Sequence, residues 1–324
     1  MASLVPTGLV PSREAKEVGM FPARILLATD GSPGADLAAR MAVKLSNDLH
    51  SELHLLYVEE RPAGAYIAPM EAPLDREFEE SARERIERDA REKLEGQIRR
   101  VKESGGEVAG VHVKIGRPDA EIVHFAEELG AGLTVVGSRG LGPLRRALMG
   151  SVSNSVVRHA HGSVLVVGGD QYRAEDYLPG RILVPIDGSR GAYAAAEAAA
   201  EISNATGSEL HLHHVLPMEW LAPLLGPEAW EMSEVKLEQR KRTARSFLDR
   251  EAERIEAGGG RVTQVHVSFG ESDAEIVRLA EELDAGLTVI GSRGLGGVRR
   301  ALIGSVSDSV VRHAHCPVLV VREG

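Results

Sequence analysis

The chain is written twice. Thr134 to His161 reads TVVGSRGLGPLRRALMGSVSNSVVRHAH, and Thr288 to His315 reads TVIGSRGLGGVRRALIGSVSDSVVRHAH. They differ only at Val136/Ile290, Pro143/Gly297, Leu144/Val298, Met149/Ile303 and Asn154/Asp308. Upstream, RILLATDGS from Arg24 answers RILVPIDGS from Arg181, and SELHLLYV from Ser51 answers SELHLHHV from Ser208. A repeat of this length is a whole folding unit used twice, which predicts two like domains. The halves meet where GGDQYRAEDYLPG, residues 168–180, breaks the pattern with turn formers and charges. The expected division is a flexible tail over 1–20, a first domain over 21–168, a linker over 169–179 and a second domain over 180–324.

Within the first half, short aliphatic runs at Ile25–Thr29, Glu52–Val58, Val108–Ile115, Leu133–Gly137 and Val164–Val167 alternate with helical stretches. That alternation predicts α/β architecture, a parallel sheet covered on both faces. Phe78, Ala82, Ile86, Ala90, Leu94 and Ile98 recur every fourth residue, the stripe of a long helix lying on the sheet. Pro118 and Asp119 open the next helix, and Gly130 with Gly132 closes it; Ser272–Asp273 and Ala285–Gly286 do the same in the second half. A doubly wound sheet places its ligand crevice at the carboxyl ends of the strands, where the strand order reverses.

Charge narrows the partners. With a formal net charge of −10 and both signs mixed along the helices, a general nucleic-acid surface is not expected. A lone cysteine, Cys316, excludes a disulfide framework and fits a reducing cytoplasm. No stretch reaches the roughly 18 uncharged apolar residues of a membrane helix, and residues 1–20 lack the apolar centre of a signal peptide.

The chemistry sits after the fourth strand of each half. Gly137-Ser138-Arg139-Gly140 is followed nine residues later by Gly150-Ser151-Val152-Ser153; the second half repeats Gly291, Arg293, Gly294, Gly304, Ser305, Val306 and Ser307 at the same spacing. A glycine turn leaving a buried strand admits ligand oxygens to the backbone, and a helix start offers free N–H groups and a positive dipole end. Ser151 and Ser153 add hydroxyls, and Arg145, Arg146, Arg299 and Arg300 add local positive charge. A bland alternative is that the glycines only permit a tight strand-to-helix turn, which accounts for Gly137 alone but not for the spaced set. Neither a Walker A run nor a Rossmann fingerprint is present.

G-x-x-G, nine residues, then G-S, behind an early Asp-Gly-Ser, resembles the ATP-binding branch of the universal stress protein family. The likeness runs from about Phe21 to Val321, including the HAHCPVLVV ending. The resemblance implies two tandem doubly wound five-stranded parallel sheets of order 3-2-1-4-5, of the adenine nucleotide alpha hydrolase-like kind. It further implies ATP across the ends of the first and fourth strands, with magnesium or manganese held through the phosphates, and pairing of domains through their fifth strands. Asp30 and Asp187 would lie near the adenosine, and Val58 and Val215 would meet adenine through backbone groups. From the residues alone, either aspartate equally suits a helix N-cap.

Histidines at 159/161, 313/315 and 211/213/214 raise a metal site. On a helix, i and i+2 diverge; on a strand His211 and His213 share a face, but no cysteine set accompanies them. Structural histidines, and no protein-only metal site, are expected. Three functions follow: a nucleotide-dependent stress regulator with slow or absent hydrolysis, a hydrolase or transferase with real turnover, and a nucleotide-free scaffold. No acid, base or water-positioning set is legible near the loops, so no catalytic residue is assigned and the regulator leads. One chain can stand for a symmetric dimer by pairing its own halves; whether two chains pair again stays open.

Overall fold

The computed structural model describes residues 23–60, 88, 92, 94–138, 149–168, 180–217, 230–294 and 303–322, with backbone only for 230–235. The predicted tail and linker, the stripe positions Phe78, Ala82, Ile86 and Ala90, and the arginines at 145, 146, 299 and 300 lie outside these residues.

The first half runs β1 (Arg24–Thr29), α1 (Pro33–Leu49), β2 (Glu52–Glu60), α2 (94–103), β3 (Gly110–Gly116), α3 (Pro118–Leu129), β4 (Leu133–Gly137), α4 (Ser151–His159) and β5 (Ser163–Val167). The second runs β6 (Arg181–Pro185), α5 (Arg190–Thr206), β7 (Glu209–Leu216), α6 (Trp230–Ala257), β8 (Gln264–Phe269), α7 (Ser272–Glu282), β9 (Leu287–Gly291), α8 (Ser305–His313) and β10 (Val318–Val321). Strand order is β3-β2-β1-β4-β5-β10-β9-β6-β7-β8. Each half is therefore a 3-2-1-4-5 parallel sheet, as the resemblance implied. The two sheets join edge to edge, because β5 and β10 pair antiparallel with Leu165 opposite Leu319. These two leucines are equivalent in the repeat, so a pseudo-two-fold axis passes between them.

Alternation along the strands feeds two cores. Leu53, Leu55 and Tyr57 turn to the face covered by α1, α2, α5 and α6; Leu56 and Val58 turn to the face covered by α3, α4, α7 and α8. Both cores run through residues of both halves. Of the predicted stripe, Leu94 is buried in the first core and Ile98 packs against it.

The helices over the first core are alanine-rich, and small residues let them lie close to the strands. Ala195, Ala196 and Ala199 of α5 are fully buried. The closest approach is glycine on glycine: a Cβ on Gly291 would stand 2.4 Å from the carbonyl carbon of Gly191, and one on Gly137 would stand 2.8 Å from that of Gly34. The strand ends β4 and β9 are thereby pressed against the first turns of α1 and α5. Helix starts follow their sequences: Ser32 caps α1 by accepting from the Ala35 N–H, and Ser189 caps α5 by accepting from the Ala192 N–H. Pro118 holds the first turn of α3, and Gly130 in the left-handed conformation ends it.

Candidate functional site

At the carboxyl end of β1 and β6, Asp-Gly-Ser makes a fixed corner. The Oδ1 of Asp30 accepts from the Ser32 N–H at 2.9 Å, and that of Asp187 accepts from the Ser189 N–H at 2.9 Å. Gly31 and Gly188 take the positive φ, 77° and 85°, that closes such a turn. Neither aspartate is itself the N-cap, a place taken by the serine two residues on. One carboxylate oxygen sets the corner, and the other oxygen of Asp187 points toward Gly294: a Cβ there would lie 2.5 Å from Oδ2.

At the end of β4 and β9 the chain leaves and returns to the same spot. The Gly150 N–H donates to the Ser138 carbonyl at 2.8 Å, and the Gly304 N–H donates to that of Ser292 at 2.7 Å. The Ser153 hydroxyl donates to the Gly137 carbonyl at 2.6 Å, and that of Ser307 to the Gly291 carbonyl at 2.7 Å. The two spaced glycine pairs are thus brought together, and several expected roles change. Gly137 and Gly291 are required by the crossing of α1 and α5. The Gly150 and Gly304 N–H groups are used in closing the loop. The hydroxyl protons of Ser153 and Ser307 are committed to strand carbonyls, so neither hydroxyl is the phosphate donor expected from sequence.

What the loop leaves available is the start of the next helix. Gly150 and Gly304 are the N-cap residues of α4 and α8 and bring no side-chain acceptor. The N–H groups of Ser151, Val152 and Ser153, and of Ser305, Val306 and Ser307, therefore have neither a side-chain cap nor an intrahelical partner. They carry the positive end of the helix dipole.

The second half shows what these parts enclose. Asp187, Val215, Gly291, Arg293, Gly294, Gly304, Ser305, Val306 and Ser307 all line one open cleft of about 490 Å³. Every residue expected there from sequence is present. In the first half Asp30, Val58, Gly137, Gly150, Ser151, Val152 and Ser153 occupy the matching places, and Arg139 and Gly140 lie outside the described residues. Arg293 brings a cation to the wall, and its Nε is buried without a partner among the described residues.

Val215 enters through its backbone. The His213 carbonyl accepts from the Ile186 N–H, on the β6 side of β7, and the ladder with β6 stops at Pro185 opposite His213. Backbone groups two residues apart face the same neighbour. The N–H and C=O of Val215 consequently face the space beyond the end of β6. Val58 stands in the same relation to β1, whose ladder stops at Thr29 opposite Tyr57.

The cleft also holds residues sequence reasoning did not assign to it: Ile186, Ser272, Ile276, Ile290 and His213. Strand alternation from Val215 was the available signal for His213. The histidines do not gather as metal ligands. His211 and His213 share a face of β7, yet His211 Nδ1 meets His266 Nε2 at 3.0 Å while His213 Nε2 meets Ser268 Oγ at 2.8 Å. His214 Nδ1 donates to the Ile186 carbonyl, and His159 and His313 donate to carbonyls one turn back in α4 and α8. His161 lies beside Glu127, and His315 is 3.8 Å from Glu281. Among the described residues no group of three or more His, Cys, Asp or Glu is placed to hold a metal ion, and no helix is long and apolar enough to cross a membrane.

Comparison with known proteins points to one family. A universal stress protein of Mycolicibacterium smegmatis is 32% identical over 308 residues, covering 92% of this chain and 96% of its own length. One from Methanocaldococcus jannaschii is 32% identical over 145 residues, 44% of this chain and 82% of that protein. The crystal structure of a universal stress protein from Archaeoglobus fulgidus superposes with a TM-score of 0.66 at 24% identity, over 93% of this chain and 99% of that one, a likeness of fold. The universal stress protein family model matches twice, over residues 23–168 and 179–322. With a 3-2-1-4-5 sheet in each half and the paired glycine loops at the strand ends, this chain belongs to the universal stress protein family as a tandem member.

Proposed function

We propose that each half binds an adenine nucleotide, ATP in the first instance, and that occupancy biases the protein as a stress regulator, with hydrolysis slow or absent. The observation that carries this reading is the convergence of all nine second-half residues, drawn from β6, β7, β9, α8 and their loops, on one cleft. Its lining suits such a ligand. The helix start of α8, Gly294 and the Arg293 side chain offer the donors and charge a polyphosphate requires. Val215, Ile276 and Ile290 offer apolar surface suited to a flat base. A divalent ion, magnesium or manganese, would enter on the phosphates.

The titratable groups in this wall favour occupancy over turnover. Asp187 is held by the turn it closes, and burial pushes the His213 imidazole down to about 3. A histidine with that affinity for protons is a weak base at neutral pH.

Calorimetric titration with ATP and magnesium tests the reading, together with the nucleotide released by denaturing freshly purified protein. Micromolar affinity or near-stoichiometric adenine nucleotide is expected. Gly140→Ala combined with Gly294→Ala should weaken ATP by more than about ten-fold while the melting temperature stays within experimental error. Among the described residues the methyl added at Gly294 meets only the Asp187 carboxylate end, and no backbone. Unchanged affinity in that variant would remove the cradle assignment.

A further inference from the structure

The helices that follow the glycine loops are sister sequences, SVSNSVVRH in α4 and SVSDSVVRH in α8, and one charge separates them. Asp308 stands where α4 has Asn154. It follows Ser307 directly, and its N–H donates to the carbonyl of the Gly304 cap at 2.9 Å. Side chains on a helix tilt toward the N-terminus. This carboxylate therefore leans to the end whose residues, Ser305, Val306 and Ser307, line the second cleft. In the empty protein an acid near a helix start is favourable, because it meets the positive end of the dipole. Toward an incoming phosphate it acts the other way, as a like charge at the same positive end.

Two guanidiniums hold that carboxylate. Arg312, on the same helix, donates from Nε to Oδ2 at 3.0 Å. Arg158 of α4 donates from Nη2 to Oδ1 at 3.0 Å, so the second cation comes from the other half of the chain. Arg158 lies seven residues beyond Ser151, about 10 Å along its own helix, whereas Asp308 is three beyond Ser305, about 4.5 Å along α8. Its charge is thus spent nearer the start of α8 than the start of α4. Nothing equivalent runs in the other direction: Asn154 offers Arg312 no carboxylate, and Arg312 pairs within its own helix.

We propose that Arg158 of the first half tunes phosphate binding at the second cleft, by offsetting the Asp308 carboxylate beside the α8 N–H groups. The proposal rests on the nucleotide reading above. Arg158 is a positioning residue: it touches Asp308, and neither side chain belongs to the cleft lining. The affinity of the second cleft for a polyphosphate becomes a property of both halves. The first cleft, with Asn154, has no such dependence.

The bridge is partly exposed, with 41% of the Arg158 side chain and 24% of that of Asp308 accessible, so water and salt screen it. A unit charge about 10 Å from a polyphosphate in such a setting changes affinity by about three-fold at low salt. Calorimetric titration with ATP and with adenosine, in a Gly140→Ala background that leaves the second cleft as the tighter site, tests the role. Arg158→Gln should weaken ATP by about that factor, and Asp308→Asn, which installs the residue of the first half, should strengthen it by about as much. Arg158→Lys should bind as the parent does. Adenosine affinity should stay constant throughout, and both ATP shifts should fade as salt rises to about 0.5 M. Opposite signs separate charge from structure, since either substitution breaks the same bridge and a purely structural bridge would move both variants one way. Shifts of one sign, adenosine shifts that match those of ATP, or no shift at all would overturn the role of Arg158 while leaving nucleotide binding intact. A parent that binds neither ATP nor adenosine would overturn the nucleotide reading and this proposal with it.

Discussion

Glycines that look alike in the sequence do different work. Gly291 faces the backbone of Gly191, with the carbonyl oxygen 2.6 Å from any added Cβ, whereas Gly294 faces the end of a side chain. Backbone cannot step aside as a carboxylate can, so Gly291→Ala should destabilise the second half by about 1–3 kcal/mol through overpacking. Urea denaturation followed by circular dichroism measures this, and a midpoint equal to the parent's would contradict the crossing. Gly304 is different again, since a Cβ there meets nothing closer than 3.5 Å. Spacing in the sequence located all three positions but could not rank them. Their distinction depends on which helix crosses the strand end, and Gly191 lies a hundred residues away in the chain.

Among elements, the helices that border the clefts are tied in pairs. Ser155 of α4 donates to Asp119 of α3 at 2.7 Å, and Ser309 of α8 donates to Asp273 of α7. The Ser309 hydroxyl, with backbone N–H groups at the start of α7, holds the Asp273 carboxyl below its ordinary 3.8. A carboxyl depressed in the folded protein stabilises it above the unfolded value and loses that contribution as pH falls through the folded one. Ser309→Ala should therefore cost about 1 kcal/mol at pH 7. The difference from the parent should shrink as the pH is taken below about 4. Denaturation curves across that range check the sign; a deficit that grew toward acid would contradict it. Element boundaries were legible to within a residue or two: β4 runs over Leu133–Gly137 as read, while β2 continues to Glu60 and β3 starts at Gly110. Those shifts fall at strand ends, where aliphatic pattern gives way and only the neighbouring strand decides how far pairing extends.

For the molecule as a whole, the joint between halves is more than the β5–β10 ladder. Arg322, just beyond β10, donates to the Val157 and Arg158 carbonyls at the end of α4 in the other half, at 2.5 and 3.3 Å. Arg158 of α4 reaches back to Asp308 of α8 at 3.0 Å. A guanidinium at a helix C-terminus is favoured by the dipole and by the free carbonyls there. The repeat is unsymmetrical here, for Gly168 stands where the second half has Arg322, and Asn154 where it has Asp308. Arg322→Ala should lower overall stability by about 1.5–3 kcal/mol, the range for charged hydrogen bonds. It should also speed amide exchange in the last turn of α4, although the substitution lies in the opposite half. Exchange there at the parent's rate would show that the brace does not operate in solution.

The sequence by itself determined the duplication, the α/β class, the positions of most strands and the residues that gather at the cleft. The first three follow from local rules: aliphatic alternation, capping and turn chemistry, and a repeat that needs no coordinates to be seen. The cleft residues follow from the spacing of the glycine loops together with the family resemblance, which supplied Asp187 and Val215. Tertiary structure alone decided how those residues divide the labour. Ser153 and Ser307 spend their hydroxyl protons on strand carbonyls, Gly137 and Gly291 serve a helix crossing, and His213 joins the cleft wall. Each outcome depends on which atoms meet across long stretches of chain, because a donor or a gap in packing has no role until its partner is in place.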